Sequence, residues 1–222
     1  SSHLTFMNSQ ENHFYRMGRF HLGGKNICFL GVKYSFWGNL SGVIAKHLCN
    51  LGVSEIIYSA KLGDMIHPNN LYSKVYSATS FYLMNNHRLV SHVSNNHNPL
   101  VKLFPELDSG AHVSVPTVLE ELYCQRGIAK SLGINSIDNE ASHIMKVVSD
   151  FNQTSTKQVS YFNLHFSTDY VRCISERNLK INFDLSNNRT SSALLKKQRI
   201  LQKLSAVSYT HLTLPTTWLV WI

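Results

Sequence analysis

Two acidic segments carry residue types that could do chemistry. Asp138-Asn139-Glu140 precedes a helical run, and His165-Phe166-Ser167-Thr168-Asp169 closes an apolar one. The pattern predicts Glu140 and Asp169 at the edges of two neighbouring strand-and-helix units. A carboxylate accepts two hydroxyl hydrogens at once, which suits Glu140 to a sugar diol. An acid at Asp169 could protonate a leaving group and ease its departure. Lys61, at the expected end of a strand, could offer one point charge to an anion. His112 and His165 could hydrogen-bond a ring or a hydroxyl. Plainer roles are open to each: a favourable charge near a helix start for Glu140, a turn cap for Asp169, solvation for Lys61.

Other chemistries find no support. There is no GxGxxG, GxSxG, HExxH or phosphate loop; Gly23-Gly24-Lys25 is followed by Asn26 where Ser or Thr is needed. His87, His92 and His97 recur every five residues, which alternates faces on a strand and makes no metal site. No metal and no cofactor is expected.

The elements that would position these residues alternate. Asn26 to Val32 reads as a buried strand. A helix capped by Ser41 follows, with Ile44, Leu48 and Leu51 inward and Gly52 at its end. Val53 to Ala60 is the next strand, which makes a βαβ unit and a parallel sheet. Leu71 to Val93 reads as further strands and Ser94 to Ser109 as a loop. A helix is expected from Pro116 to Leu132, a strand over Asn135 to Ile137, a helix over Asn139 to Phe151 and a strand over Val159 to Ser167. A last helix spans Thr190 to Leu204, with Ala193, Ile200, Leu201 and Leu204 inward. The predicted fold is a single α/β domain with a mixed, largely parallel sheet flanked by helices. Ligands of such sheets sit outside the carboxyl ends of the strands.

At 222 residues the chain is long enough for a core, and 43% hydrophobic with 15% charged residues fits a globular protein. Four widely spaced cysteines suggest free, mostly buried thiols in a reducing cytoplasm. No signal peptide is read, and no apolar run has the roughly 18 to 20 residues of a membrane helix. The net charge is +8; between Arg172 and Lys203 eight Lys or Arg stand against Glu176 and Asp184. Phe183 is the single aromatic residue there, too few for a row of stacking platforms, so a solvated face is favoured over nucleic acid. Residues 1–24 carry no clear assignment, and 25–205 form the expected domain. The string from Ser208 to Thr216 resembles a translated sequencing adapter, so 206–222 is expected to be a non-native tail.

The order of four segments resembles the nucleoside phosphorylase superfamily, which includes nucleosidases. These are Gly38-Asn39-Leu40-Ser41 through Leu51-Gly52-Val53, then Ile56 to Gly63, then His112-Val113-Ser114-Val115, and finally Asp138-Asn139-Glu140 with Ser167-Thr168-Asp169. The last pair is similar to the family's "DME" and "SD" motifs. The resemblance implies a catalytic acid at Asp169 and a ribose-holding carboxylate at Glu140. It places Asn139, Lys61, His112 and Ser114 at the substrate, which would be a small-molecule nucleoside. It implies cleavage of an N-glycosidic bond, by a nucleosidase or a phosphorylase. Tyr58 stands where the family has a phosphate-binding arginine, Lys61 where it has Thr or Ser, and Asn139 where it has Met. Phosphate as co-substrate is thereby put in doubt. The family's first strand has no counterpart, so the domain reads as N-terminally truncated. A degenerate nucleoside-binding or sensor domain of a larger protein stays open. So does an unrelated α/β protein with a basic helix, and so does homo-oligomerisation.

Overall fold

The computed structural model describes residues 4–22, 24–33, 38–95, 98–179, 190–213 and 220–221. The N-terminal segment contributes strands β1 (Thr5–Glu11) and β2 (Tyr15–Leu22), and β2 pairs antiparallel with β3 (Lys25–Val32). Leu22 faces Lys25 across a tight turn in which Gly24 takes φ +83°. That turn corrects the expected βαβ unit. Tight turns join strands antiparallel, whereas parallel neighbours need a long crossover. β3 therefore ends a separate three-stranded sheet instead of opening the parallel one.

Helix α1 (Asn39–Asn50) buries Ser41, Gly42, Ala45 and Cys49. Ser41, expected as its cap, lies inside it and donates to the Gly38 carbonyl at 2.6 Å. Leu51 is exposed because the helix has already ended before Gly52, at φ +83°.

The main sheet is built from β4 (Glu55–Asp64), β5 (Val75–Tyr76), β6 (Ser80–Asn85), β7 (Arg88–Ser94), β8 (Ala111–Ser114), β9 (Ser136–Asp138) and β10 (Ser160–Tyr170). Its order is β5-β10-β4-β9-β8-β6-β7, and the short β11 (Val220–Trp221) lies beside β4. β10 with β4, β6 with β8 and β8 with β9 run parallel. β4 meets β9 antiparallel at Gly63–Ile137 and Asp64–Ser136, and β5–β10 and β6–β7 are also antiparallel. The sheet is thus mixed, as expected.

Helices flank it: α2 (Pro99–Leu103), α3 (Tyr123–Ser131), α4 (Ala141–Thr154) and α5 (Ser191–Thr213). α2 falls within the expected loop; Asn98 caps it through the Leu100 N–H at 3.0 Å, with Pro99 in the first turn. α3 begins seven residues later than expected. The Thr117 hydroxyl accepts the Leu119 N–H at 3.0 Å and opens one tight turn, Val118–Glu120, before the helix proper. α5 runs past the expected Leu204. Ala193, Ile200, Leu204 and Val207 form its buried stripe, and Leu201, expected inward, is off it and exposed.

One face of β4 and β10 presents Ile57, Phe162, Leu164 and Phe166 to α5. The other presents Ile56, Tyr58 and Tyr161 to α1 and α4. A third cluster, with Val113, Ile134 and Ile137, lies under α3. Among the described residues no helix is long and apolar enough to cross a membrane.

Candidate functional site

The end of β9 organises the site. Asp138 is buried, and its carboxylate accepts hydrogen bonds from the Ser114 hydroxyl (2.5 Å), the Glu140 N–H (3.0 Å) and the Ala141 N–H (3.0 Å). The last two are free donors of the first turn of α4, so Asp138 closes that turn. His112 Nε2 lies 2.9 Å and His165 Nε2 3.5 Å from it; these are close charge approaches, not aligned hydrogen bonds. Burial opposes charge on Asp138, but His112 and then His165 outweigh it and hold the carboxyl well below its ordinary range. The Ser136 hydroxyl orients His112 at 2.9 Å, and the Asn163 amide orients His165 at 2.8 Å. The two rings stack with centroids 6.0 Å apart, and Tyr58 meets His165 edge-on at 5.0 Å. Burial pushes the His165 imidazole down, toward the neutral form.

Glu140 has the opposite fate. Burial, then the charge of Asp138, pushes its carboxyl up to about 8. The Tyr58 hydroxyl donates to it, and burial and Glu140 together hold that phenol well above its usual range. Asn139 is occupied with the backbone: its carbonyl accepts the Gly38 N–H at 2.8 Å, and its amide donates to the Val115 carbonyl at 3.3 Å.

Asp169 is re-aimed by an irregularity. The β10–β4 register shifts between Ser167 and Asp169, so Thr168 is the extra residue and Asp169 pairs with Gly63. The Thr168 hydroxyl donates to its carboxylate at 2.8 Å. Gly63 also pairs with Ile137. Asp169 and the Asp138–Glu140 turn are therefore two strand spacings apart, roughly 10 Å, at one end of the sheet. Their faces differ. A Cβ on Gly63 would lie 3.2 Å from Ile137 Cγ2 and 3.3 Å from Asp169 Oδ2, whereas Asp138 alternates to the other side. Lys61 is exposed and also alternates away from Tyr58 and Glu140. The strand does not end at Lys61-Leu62-Gly63; it continues to Asp64.

His112 and Ser114 are brought to Glu140 through Asp138, and each is 0% exposed. Sequence reasoning missed Glu121. This residue follows the tight turn before α3, pairs with Arg126 at 3.1 Å, and is pushed up to about 7. Burial dominates, Arg126 opposes, and the charges of Asp169 and Asp138 both add to the rise. Only the fold brings Glu121 to them. Asp138 was legible as the first residue of its motif, and Tyr58 as a departure from one. Among the described residues no group of three or more His, Cys, Asp or Glu is arranged to hold a metal ion. All four cysteines are free; Cys49 and Cys173 are buried, Cys28 is half-buried and Cys124 is exposed.

The arrangement of strands and helices matches solved structures along most of their length. The apo 5'-methylthioadenosine nucleosidase of Arabidopsis thaliana superposes with a TM-score of 0.67 at 12% identity, covering 96% of this chain and 88% of that one. A futalosine hydrolase mutant of Helicobacter pylori gives 0.63 at 12% identity, covering 90% and 89%. A mutant of the MTAN of the same organism, with 5'-methylthioadenosine in its active site, gives 0.62 at 12%, covering 91% and 89%. The chain has the fold of the nucleoside phosphorylase and nucleosidase superfamily.

No family model matches the chain. In sequence it is 32% identical over 189 residues to "Oxidoreductase cns1" of Cordyceps militaris, a match that takes in 82% of this chain. The nucleosidase-fold chain spans 24% of the length of that relative.

Proposed function

We propose that the chain cleaves the N-glycosidic bond of a nucleoside-like substrate. The observation that carries this reading is the convergence of Asp169 and the Asp138–Glu140 turn at one end of the sheet, with half-buried Glu121 within reach of both Asp charges. In this reading Asp169 delivers a proton to the departing base as the C–N bond breaks. Glu140, with Tyr58 on one side of its carboxyl, takes the sugar hydroxyls. Asn139, His112 and Ser114 set the position of the turn, and Lys61 serves only as an exposed charge. Water, not phosphate, supplies the oxygen. Tyr58, at the place where the resemblance puts an anion-gripping arginine, is buried, neutral and committed to Glu140. The products are free base and free sugar. A purine nucleoside is the favoured class, since one fold neighbour holds 5'-methylthioadenosine. A soluble, cytoplasmic setting suits such a substrate.

A second reading is a degenerate nucleoside-binding or sensor domain of a larger protein. It is favoured by the placement of Asp169 and Asp138 on different faces, and by the chain's spanning 24% of its relative. The deciding experiment is chromatography of free base from a panel of nucleosides, with and without phosphate. The enzyme reading expects base release that phosphate does not stimulate. Saturable nucleoside binding without any base release would replace it with the sensor reading.

A further inference from the structure

A groove lies between the second half of α5, the start of β5 and the segment after α2. Its volume is about 530 Å³, within the range of small-molecule sites. Val75, Phe104, Leu107 and Val207 give it an apolar floor continuous with the core. Ser73, Lys74, Glu106 and Lys203 stand around that floor. The two lysines differ. Lys74 is paired with Asp108 at 2.9 Å. Lys203 has no carboxylate partner among the described residues. Its Nζ donates to the Ser73 carbonyl at 3.3 Å, which places the ammonium at the edge of the floor. An ammonium has three donors, so two remain for water or a ligand. α5 adds to that charge, since it carries Lys196, Lys197, Arg199 and Lys203 and no acidic residue. Glu106 is exposed, where water and salt screen its charge.

We propose that this groove binds a single-chain aliphatic carboxylate, with the carboxylate on Lys203 Nζ and the chain along Val75, Phe104, Leu107 and Val207. The apolar floor asks for the chain, and a cation with donors to spare at its edge asks for an anionic head. A carboxylate and an ammonium meet in charge-assisted hydrogen bonds. A polyanion is disfavoured, because Asp108 already neutralises the other lining lysine, Lys74. The groove uses none of Asp138, Glu140 and Asp169, so it stands apart from the nucleosidase reading.

Decanoate, butyrate and decyltrimethylammonium test it by calorimetric titration, with the decyl compounds kept below their micellar concentrations. Decanoate has both head and chain. Butyrate keeps the head, and decyltrimethylammonium keeps the chain with the opposite charge. Decanoate is expected to saturate one site and to bind roughly tenfold tighter than either of the others. Lys203→Met, at an exposed position, is expected to weaken decanoate about fivefold, the upper end for an exposed ion pair. Lys203→Glu is expected to reverse the preference between the two decyl compounds. Equal affinities of the decyl compounds for the unaltered chain would mean that the head is not recognised, and would overturn the proposal. So would an unchanged preference in Lys203→Glu, or absence of saturable binding. Self-association of the chain that decanoate fails to reverse would also overturn it, because a second copy would then hold the groove.

Discussion

Asp138 and Glu140 are two residues apart and hold opposite protonation states. Asp138 is surrounded by donors and two imidazoles; Glu140 is buried beside that charge with one phenol for company. The raised carboxyl of Glu140 gives a pH signature. An acid whose folded value lies above its unfolded one favours the fold when protonated. Its contribution is fully present below about 4.5 and is lost as the pH rises through about 8. The melting temperature is expected to fall between pH 5 and pH 8, and Glu140→Gln is expected to flatten that slope. An unchanged slope in the variant would place the titration elsewhere. Asp138→Ala removes the centre of the cluster and leaves two buried imidazoles and Ser114 without their partner. Chemical denaturation is expected to show a loss of about 3 to 5 kcal/mol, as for other buried pairs broken on one side. The two proposed chemical roles separate in kinetics. Asp169→Asn is expected to lower base release by about 100- to 10,000-fold with nucleoside binding kept, because an amide cannot deliver a proton. Glu140→Gln is expected to weaken substrate binding instead above about pH 8, where the ionised Glu140 is a better acceptor for a diol than an amide. Full activity in Asp169→Asn would remove the mechanism.

Between elements, one tight joint is the approach of the α1 start to the Asp138–Glu140 turn. Gly38 donates to the Asn139 carbonyl, sits at φ +59°, and a Cβ there would collide with the Pro116 carbonyl. Gly38→Ala is expected to cost about 1 to 3 kcal/mol from the backbone strain alone. Urea denaturation would measure it; a change below 0.5 kcal/mol, the scale of ordinary surface substitutions, would show that the turn adapts. How far these elements could be read beforehand follows from their physics. α4 and β10 carry clean periodicity, and their cores, Ile144 with Val148 and Leu164 with Phe166, were legible to within a few residues. β4 was legible but its last four residues were not, because Lys61 and Gly63 break the apolar run while the chain stays paired. α3 was misplaced because Pro116 looks like a helix start, yet the Thr117 cap closes after a single turn. The separate sheet of β3 depended on a pairing partner from residues 15–22, which no local pattern announces. Asp169 and Glu140 were legible as residues, but their faces were not. A one-residue bulge at Thr168 reverses the side on which a strand residue points, and sequence alone does not place bulges.

Across the whole molecule, α5 seals the face of the sheet that carries Ile57 and Leu164. Its last buried contact described is Val207. Val207 belongs to the core, so we propose that the foreign tail begins after it and not at the expected residue 206, and a chain ending at Val207 is expected to melt as the full chain does. A chain ending at Ser205 is expected to lose about 1.5 to 3 kcal/mol with that valine. Equal melting of both truncations would leave Val207 without weight in the core.

The parallel pairing of β4 with β10 joins Glu55 to Ser160 and runs to Asp64 with Tyr170. The central strand therefore has to wait for a partner made roughly 100 residues later, which at ordinary synthesis rates is about 5 to 20 s. During that interval Ile56, Ile57 and Tyr58 have no sheet neighbour along most of their length, since β9 meets β4 only at Gly63 and Asp64. Pairing over such a separation also closes a long loop, which slows the search for the native arrangement. The ribosome thus releases the beginning of the candidate site well before its end exists. Expression in a host with ample chaperone capacity, or at low temperature, should raise the yield of folded chain more than any change to its surface.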